Sequence, residues 1–245
     1  MVDPRHFDRQ AANYEQARPP YPEALWQRLE DLGLLTAGRR AVDLGAGTGQ
    51  ATGRLLDAGL TVTAVEPGAR LAALLKMNHP AASVIVSRAE DADLPERTFD
   101  IAVAATSIHW MNLDELLPNV HASLRPEGKL LVWRNVFGDP NHPTPFRTTV
   151  RRIVAARAGP PRPGPDAEDA GATWRELVRT GLFSVDEVDE FRWEVTLDAQ
   201  QVQNLFSTFS DWNDQEVLEA AAAVVEAGGS VVEHYRSWLI VLSRT

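Results

Sequence analysis

Cysteine is absent from the 245 residues. That excludes disulfides, thiolate metal sites and a thiol nucleophile. Long apolar runs are missing as well: no stretch comes near the roughly 20 residues of a membrane-spanning helix. Met1 to Gln10 is charged rather than apolar, so no secretory leader is expected. Positive charge is scarce, with 24 Lys and Arg against 34 Asp and Glu and a formal charge of −10. Such a chain lacks the basic face that nucleic acid requires. No cluster of ligating side chains suggests a metal. These absences leave the expectation of a cytoplasmic protein acting on a small molecule, with no nucleic-acid or membrane partner. Oligomeric state has no signal in the sequence.

What is present is globular: 44% hydrophobic and 24% charged residues, in a chain long enough for one sizeable core. Leu25, Leu29 and Leu32 recur at helical spacing after the prolines at 19, 20 and 22, and Gly33 supplies a stop. Strands are expected at Arg40 to Leu44, Thr61 to Val65, Ser83 to Val86, Phe99 to Ala105 and Lys129 to Trp133. Helices are expected between them, with Arg125 to Gly128 as a turn before the fifth strand. Alternation at this pitch predicts βαβ units and a parallel sheet covered on both faces. From Gly138 to Gly171 the rhythm breaks in a proline-rich insertion around one short helix, Thr148 to Ala158. Strands at Val188 to Leu197 and Trp238 to Leu242, with helices from Asp198 and over Gln215 to Ala227, complete the chain.

The stretch Val42-Asp43-Leu44-Gly45-Ala46-Gly47-Thr48-Gly49 reads as a buried strand, a glycine turn and the start of a helix. Such a turn brings backbone close to a ligand. A dinucleotide site wants G-x-G-x-x-G, and the third glycine of that pattern is Gln50 here. Asp43 also sets negative charge beside the turn, which is awkward for pyrophosphate and suits an ammonium or sulfonium.

Together these residues resemble the class I S-adenosylmethionine-dependent methyltransferases. Asp43 to Gly49 is similar to their first motif, and Glu66-Pro67 stands where their ribose-binding acid ends the second strand. Ala89-Glu90 before Leu94-Pro95 resembles the adenine-side loop, although the loop is longer than usual; Phe99-Asp100 and Leu124 to Gly128 also match. The resemblance covers Phe7 to Trp133 well and the remainder only by strand pattern. It implies a Rossmann-like class I methyltransferase fold: α/β, seven strands, mostly parallel with the last antiparallel, helices on both faces, and a cap inserted between strands 5 and 6. One domain is expected over 1–245, with 7–22 covering the cofactor and 138–171 forming the cap.

The site residues implied by the resemblance follow from its motifs. Gly45, Ala46, Gly47 and Gly49 receive the methionine carboxylate or approach the sulfonium. Glu66 takes the ribose hydroxyls with its two carboxylate oxygens, and Ala89-Glu90 faces adenine. Tyr14 and Arg18 belong to an N-terminal F…Y…R-P-x-Y-P segment that folds over the cofactor, with Arg18 a partner for its carboxylate and Tyr21 towards substrate. Thr106-Ser107-Ile108-His109-Trp110 resembles the A-x-H-W element of enzymes related to the trans-aconitate methyltransferases, with Thr106-Ser107 departing from the usual Gln-Ala. Thr106 is placed beside the cofactor, His109 is the candidate catalytic group that orients substrate or accepts a proton, and Trp110 a pocket wall. Ser207 to Ser210 resembles a substrate-side stretch of the same group.

Five arginines (147, 151, 152, 157, 162) and no acid lie between Pro140 and Pro165. An anionic acceptor held by Arg151 and its neighbours accounts for this, and so does a solvated basic helix face, with nucleic-acid binding through the five arginines a minor third reading. The expected activity is methyl transfer from S-adenosylmethionine to an O, N or C nucleophile of a small molecule, without metal. A cofactor-binding protein that regulates or modifies a protein partner is the alternative, and an NAD-dependent oxidoreductase a weaker one.

Overall fold

The computed structural model describes Asp8, Asn13, residues 17–157 and residues 166–245. Tyr14 lies outside the described residues, as do half of segment 7–22 and Arg162. Seven strands, β1 (Arg40–Leu44), β2 (Thr61–Val65), β3 (Ser83–Ile85), β4 (Phe99–Ala105), β5 (Leu124–Val136), β6 (Phe183–Asp198) and β7 (Ser230–Arg244), form one sheet in the order β3-β2-β1-β4-β5-β7-β6. The pairs β2–β3, β1–β2, β1–β4 and β4–β5 are parallel. β7 runs against β5, because Lys129 bonds Ser243 while Asn135, further along β5, bonds Ser237, earlier on β7. The parallel order reverses direction between β1 and β4, the switch point where open α/β sheets hold ligands.

Residue contacts divide the chain into two compact units. The larger comprises Tyr21–Asn135, Pro165–Phe191 and Ser237–Thr245. Its helices are α1 (Glu23–Asp31), α2 (Gln50–Asp57), α3 (Ala69–Asn78), α4 (Leu113–Ser123) and α6 (Ala170–Val178). Leu25, Trp26 and Leu29 of α1 and Ala51 and Leu55 of α2 pack on Ala41, Ile101, Val103, Leu131 and Trp133. The alternate residues Val42, Leu44, Ala102, Ala104, Leu130 and Val132 point the other way and are also buried. Both faces of the sheet are therefore covered, as a parallel sheet requires.

The smaller unit includes Val136–Gly164 and Arg192–Arg236 among its segments. Its helices α5 (Pro145–Ala155), α7 (Ala199–Ser207) and α8 (Asp214–Glu226) share a core of Phe146, Val150, Ile153, Val202, Leu205, Phe206, Val217 and Val224. Asp198 and Asn213 close reciprocal capping boxes with Gln201 and Glu216, which satisfies the first amides of α7 and α8.

Three sequence expectations are corrected. Arg125 to Gly128 is not a turn before β5 but lies inside it. Residue partners step from Phe99↔Leu124 to Ile101↔Lys129, so these residues bulge out of the ladder. The insertion helix begins at Pro145 rather than Thr148, because proline is tolerated at the first helical position and Thr144 caps it. β6 and β7 start at Phe183 and Ser230, well before the expected Val188 and Trp238.

Candidate functional site

Gly45, Gly47 and Gly49 all have positive φ (67°, 59° and 98°). At Gly45 the reason is also spatial: a Cβ there lies 2.7 Å from Ser107 Cβ. The glycine turn after β1 is thus pressed against the segment after β4, and Ser107 Oγ donates to Leu44 O at 2.6 Å across the switch point. At Gly49 a Cβ meets the His79 ring at 2.6 Å. The amides of Gly45 and Ala46 bond Val65 O, that of Gly49 bonds Ala46 O, and that of Gly47 bonds Glu66 Oε2. The turn offers close approach to a ligand rather than a row of free N–H donors.

Two acids frame it. Glu66 is buried, and its Oε2 and Oε1 accept from the Gly47 and Gly68 amides, each at 2.8 Å. It holds the glycine turn to the end of β2, and Pro67 beside it is exposed. Asp43 is fully buried and accepts from Thr52 Oγ1 at 2.7 Å through Oδ2, whereas its Oδ1 meets no hydrogen-bond partner. Burial pushes its carboxyl up to about 6, against the Thr52 hydrogen bond and with help from the Glu66 charge. An orphaned buried acceptor next to a turn that admits no Cβ fits a bound group bearing a donor or positive charge.

Ala89 and Glu90 lie in the β3–β4 connection. Glu90 accepts from the Asn112 amide at 2.8 Å and the Arg88 guanidinium at 3.0 Å. Burial works against its charge, but these bonds outweigh it and hold the carboxyl below its ordinary value. The side chain ties this loop to the start of α4 and is not a solvated acid.

Thr106 carries φ +57°, a costly conformation for a β-branched residue. Its N–H donates to Trp133 O at 2.7 Å and its hydroxyl accepts from Tyr21 Oη at 3.0 Å. Tyr21 stands edge-on to both Trp26 and Trp133, so it braces Thr106 from a core position. Just beyond, His109 and Trp110 lie on a short 3-10 turn with ring centres 4.6 Å apart, and Trp110 is 43% exposed. Arg134 Nη1 lies 2.9 and 3.0 Å from the two ring nitrogens of His109. The sequence pointed to His109 but not to Arg134, whose place on β5 next to Trp133 was the only available signal.

The other predicted residues belong to the smaller unit. Arg18 donates to Thr208 O at 3.2 Å and lies over the Phe209 and Phe137 rings. Arg151 is exposed on α5 and has no ion-pair partner among the described residues. Its neighbours are matched: Arg152 with Glu219, Arg157 with Glu216 and Asp211, and Arg147 with Glu233. Three of the four described arginines of this stretch thus meet acids further along the chain, and Arg151 is left exposed to solvent. Among the described residues there is no group of His, Asp and Glu suited to a metal, and no helix long and apolar enough to cross a membrane.

Comparison with known proteins adds three findings. Residues 42–132, which carry the glycine turn, Glu66, Glu90 and His109, match the methyltransferase domain family. An uncharacterized methyltransferase of Mycobacterium bovis is 39% identical over 49% of this chain and 48% of its own length, and one of Schizosaccharomyces pombe is 30% identical over 53% and 52%. The chain thus spans about half the length of the curated relatives it matches. Among solved structures, one described as a putative type II methyltransferase from Anaeromyxobacter dehalogenans has a TM-score of 0.66 at 23% identity, covering 93% of this chain and 97% of that one. A Haemonchus contortus phosphoethanolamine N-methyltransferase, solved with phosphomonomethylethanolamine and S-adenosylhomocysteine, has a TM-score of 0.58 at 15% identity, covering 100% of this chain and 61% of its own. At such identities the likeness is one of fold, the Rossmann-like class I methyltransferase fold.

Proposed function

We propose that this chain, whose residues 42–132 match the methyltransferase domain family, transfers a methyl group from S-adenosylmethionine to a nucleophilic O, N or C atom of a small molecule. The observation that carries the reading is the pair of acids at the glycine turn: Glu66 buried at the end of β2, and Asp43 buried with Oδ1 unpartnered. A sulfonium cofactor brings positive charge towards Asp43 and a ribose diol that can donate to a carboxylate at the end of β2, whereas the pyrophosphate of NAD finds Asp43 on its near side and Gln50 where a glycine is wanted.

When bound, S-adenosylmethionine supplies a methyl group already activated for displacement. The protein's task is then alignment, which can contribute on the order of 7–11 kcal/mol. In this reading Gly45, Ala46, Gly47 and Gly49 give close backbone approach, Glu66 holds the ribose, Ala89 and Glu90 bound the adenine side, and Asp43 favours positive charge. Thr106 is held for contact by Tyr21. His109 orients the acceptor or takes its proton when the nucleophile is a phenol, amine or enol, and Trp110 walls the acceptor side. Tyr14, Arg18 and Arg151 stay as further candidates. The chain is taken as one methyltransferase domain, with 7–22 and 138–171 as accessory segments.

Calorimetric titration tests the reading. S-adenosylmethionine and S-adenosylhomocysteine are expected to bind with one-to-one stoichiometry and NAD not to bind. Glu66→Ala is expected to weaken both adenosyl ligands by roughly 10- to 100-fold, the loss of charged hydrogen bonds. A wild-type protein that binds neither adenosyl ligand would falsify the proposal. One that binds both but turns over no small molecule to S-adenosylhomocysteine supports the regulatory alternative.

A further inference from the structure

β5 buries nearly everything it carries from Leu130 to Val136, yet a permanent charge stands in that run. Arg134 is half-buried between Trp133 and Asn135, both of them buried. The strand register accounts for its place. Ala105, the last residue of β4, pairs with Trp133, and the Thr106 amide bonds Trp133 O, so Arg134 lies one step past the paired end of β4. That is the carboxyl end of the parallel strands, where open α/β sheets carry their chemistry. A guanidinium drawn partly out of water has only donors, so the group it faces must accept. It faces His109, with Nη1 2.9 Å from Nδ1 and 3.0 Å from Nε2.

Those two distances restrict the imidazole. The neutral ring keeps one lone pair, and Nη1 is within reach of it in either tautomer. The imidazolium has no lone pair, and it would set two N–H groups and a positive charge against a cation that stays charged in proteins. Acids on the surrounding elements meet other groups: Glu90 accepts from the Asn112 amide and Arg88, Asp114 pairs with Arg179, and Asp43 accepts from Thr52 Oγ1. Glu115 lies 3.9 Å from Arg88, and on β5 itself Lys129 pairs with Asp186. Trp110, whose ring centre is 4.6 Å from that of His109, brings no charge. We infer that Arg134 is a positioning residue that keeps His109 neutral, its lone pair turned to the guanidinium and its remaining N–H offered to the methyl acceptor. His109 then orients the acceptor as a hydrogen-bond donor and does not take its proton. The inference rests on the methyltransferase reading for the word acceptor, and it deepens that reading by selecting a nucleophile that needs no base from the protein. Any proton left on the methylated product goes to water, not to His109.

The test is a pH titration of the full chain, labelled with carbon-13 at histidine Cε1 and read by NMR without cofactor or acceptor. Of the six histidines, His109 is assigned as the resonance that His109→Gln removes. In wild type its midpoint is expected at least about one pH unit below the ordinary 6.5. Arg134→Met removes the charge and is expected to raise that midpoint by roughly one to three pH units. Arg134→Lys restores a charge and a donor, and is expected to bring the midpoint most of the way back to the wild-type value. A wild-type midpoint at or above the ordinary value overturns the inference with no variant needed. So does a midpoint that Arg134→Met leaves in place, or one that Arg134→Lys raises as far as Arg134→Met does. Failure of wild type to bind S-adenosylhomocysteine in calorimetry overturns the methyltransferase reading instead, while the titration still decides whether Arg134 holds His109 neutral.

Discussion

Asp43 shows how much one buried carboxyl can bias a site. Its folded-state pKa of about 6 stands above the ordinary 3.8, because burial penalises the charged form. A raised acid favours the neutral form in the fold. Its contribution to stability is therefore complete below pH ~4 and is lost as pH rises through ~6, a swing of about 3 kcal/mol. Asp43→Asn removes this titration. Urea unfolding at pH 4 and pH 7 is expected to show the Asn variant gaining on wild type by up to about 3 kcal/mol at the higher pH. A difference between the two proteins that does not change with pH would show that Asp43 is not held neutral by the fold. The residue scale is also where sequence reading stopped short. Asp43 and Glu66 were found from their motif, but the Arg134 contact with His109 and the positive φ of Thr106 are properties of packing between β4 and β5, which no local pattern encodes.

At the scale of elements, the glycine turn is held by its neighbours rather than by its own hydrogen bonds alone. A methyl group at Gly45 meets Ser107 Cβ at 2.7 Å and Met111 Cε at 3.0 Å, at a φ that L-residues avoid. Gly45→Ala is accordingly expected to cost about 1–3 kcal/mol, read as a fall in urea midpoint, and to weaken S-adenosylhomocysteine because the β4 segment must retreat. An unchanged midpoint would show that Ser107 yields freely. Most elements were legible because their signals are local: β1, β2 and β4 were read at their own boundaries, from short apolar runs alternating with helical segments. The misread elements depend on distant partners. β6 runs 16 residues because β7 pairs along it, although the acids from Asp186 to Glu190 hide its alternation. The arginines of α5 and the residues just after it looked unmatched because Asp211, Glu216 and Glu219 lie 54 to 67 positions further on.

For the whole molecule, the division into two compact units makes ligand-linked stability informative. The glycine turn, Asp43, Glu66, Glu90 and Thr106 all belong to the larger unit, so the proposed cofactor binds the folded form of that unit and not its unfolded chain. Linkage then fixes the size of the effect: ligand at a hundredfold excess over Kd contributes about 2.7 kcal/mol. In a chain of this length each kcal/mol moves the midpoint by roughly 2–4 °C, so S-adenosylhomocysteine is expected to raise the melting transition of the larger unit by about 5–10 °C. NAD at the same concentration is expected to leave it in place. Hydrogen exchange monitored on β1, β2 and β4 assigns the shift to this unit, since slower exchange there must accompany it if the turn is the binding site. A thermal shift without added protection in those strands would place the adenosyl ligand elsewhere in the chain, and a shift of equal size with NAD would return the glycine turn to the dinucleotide reading that Gln50 and Asp43 argue against.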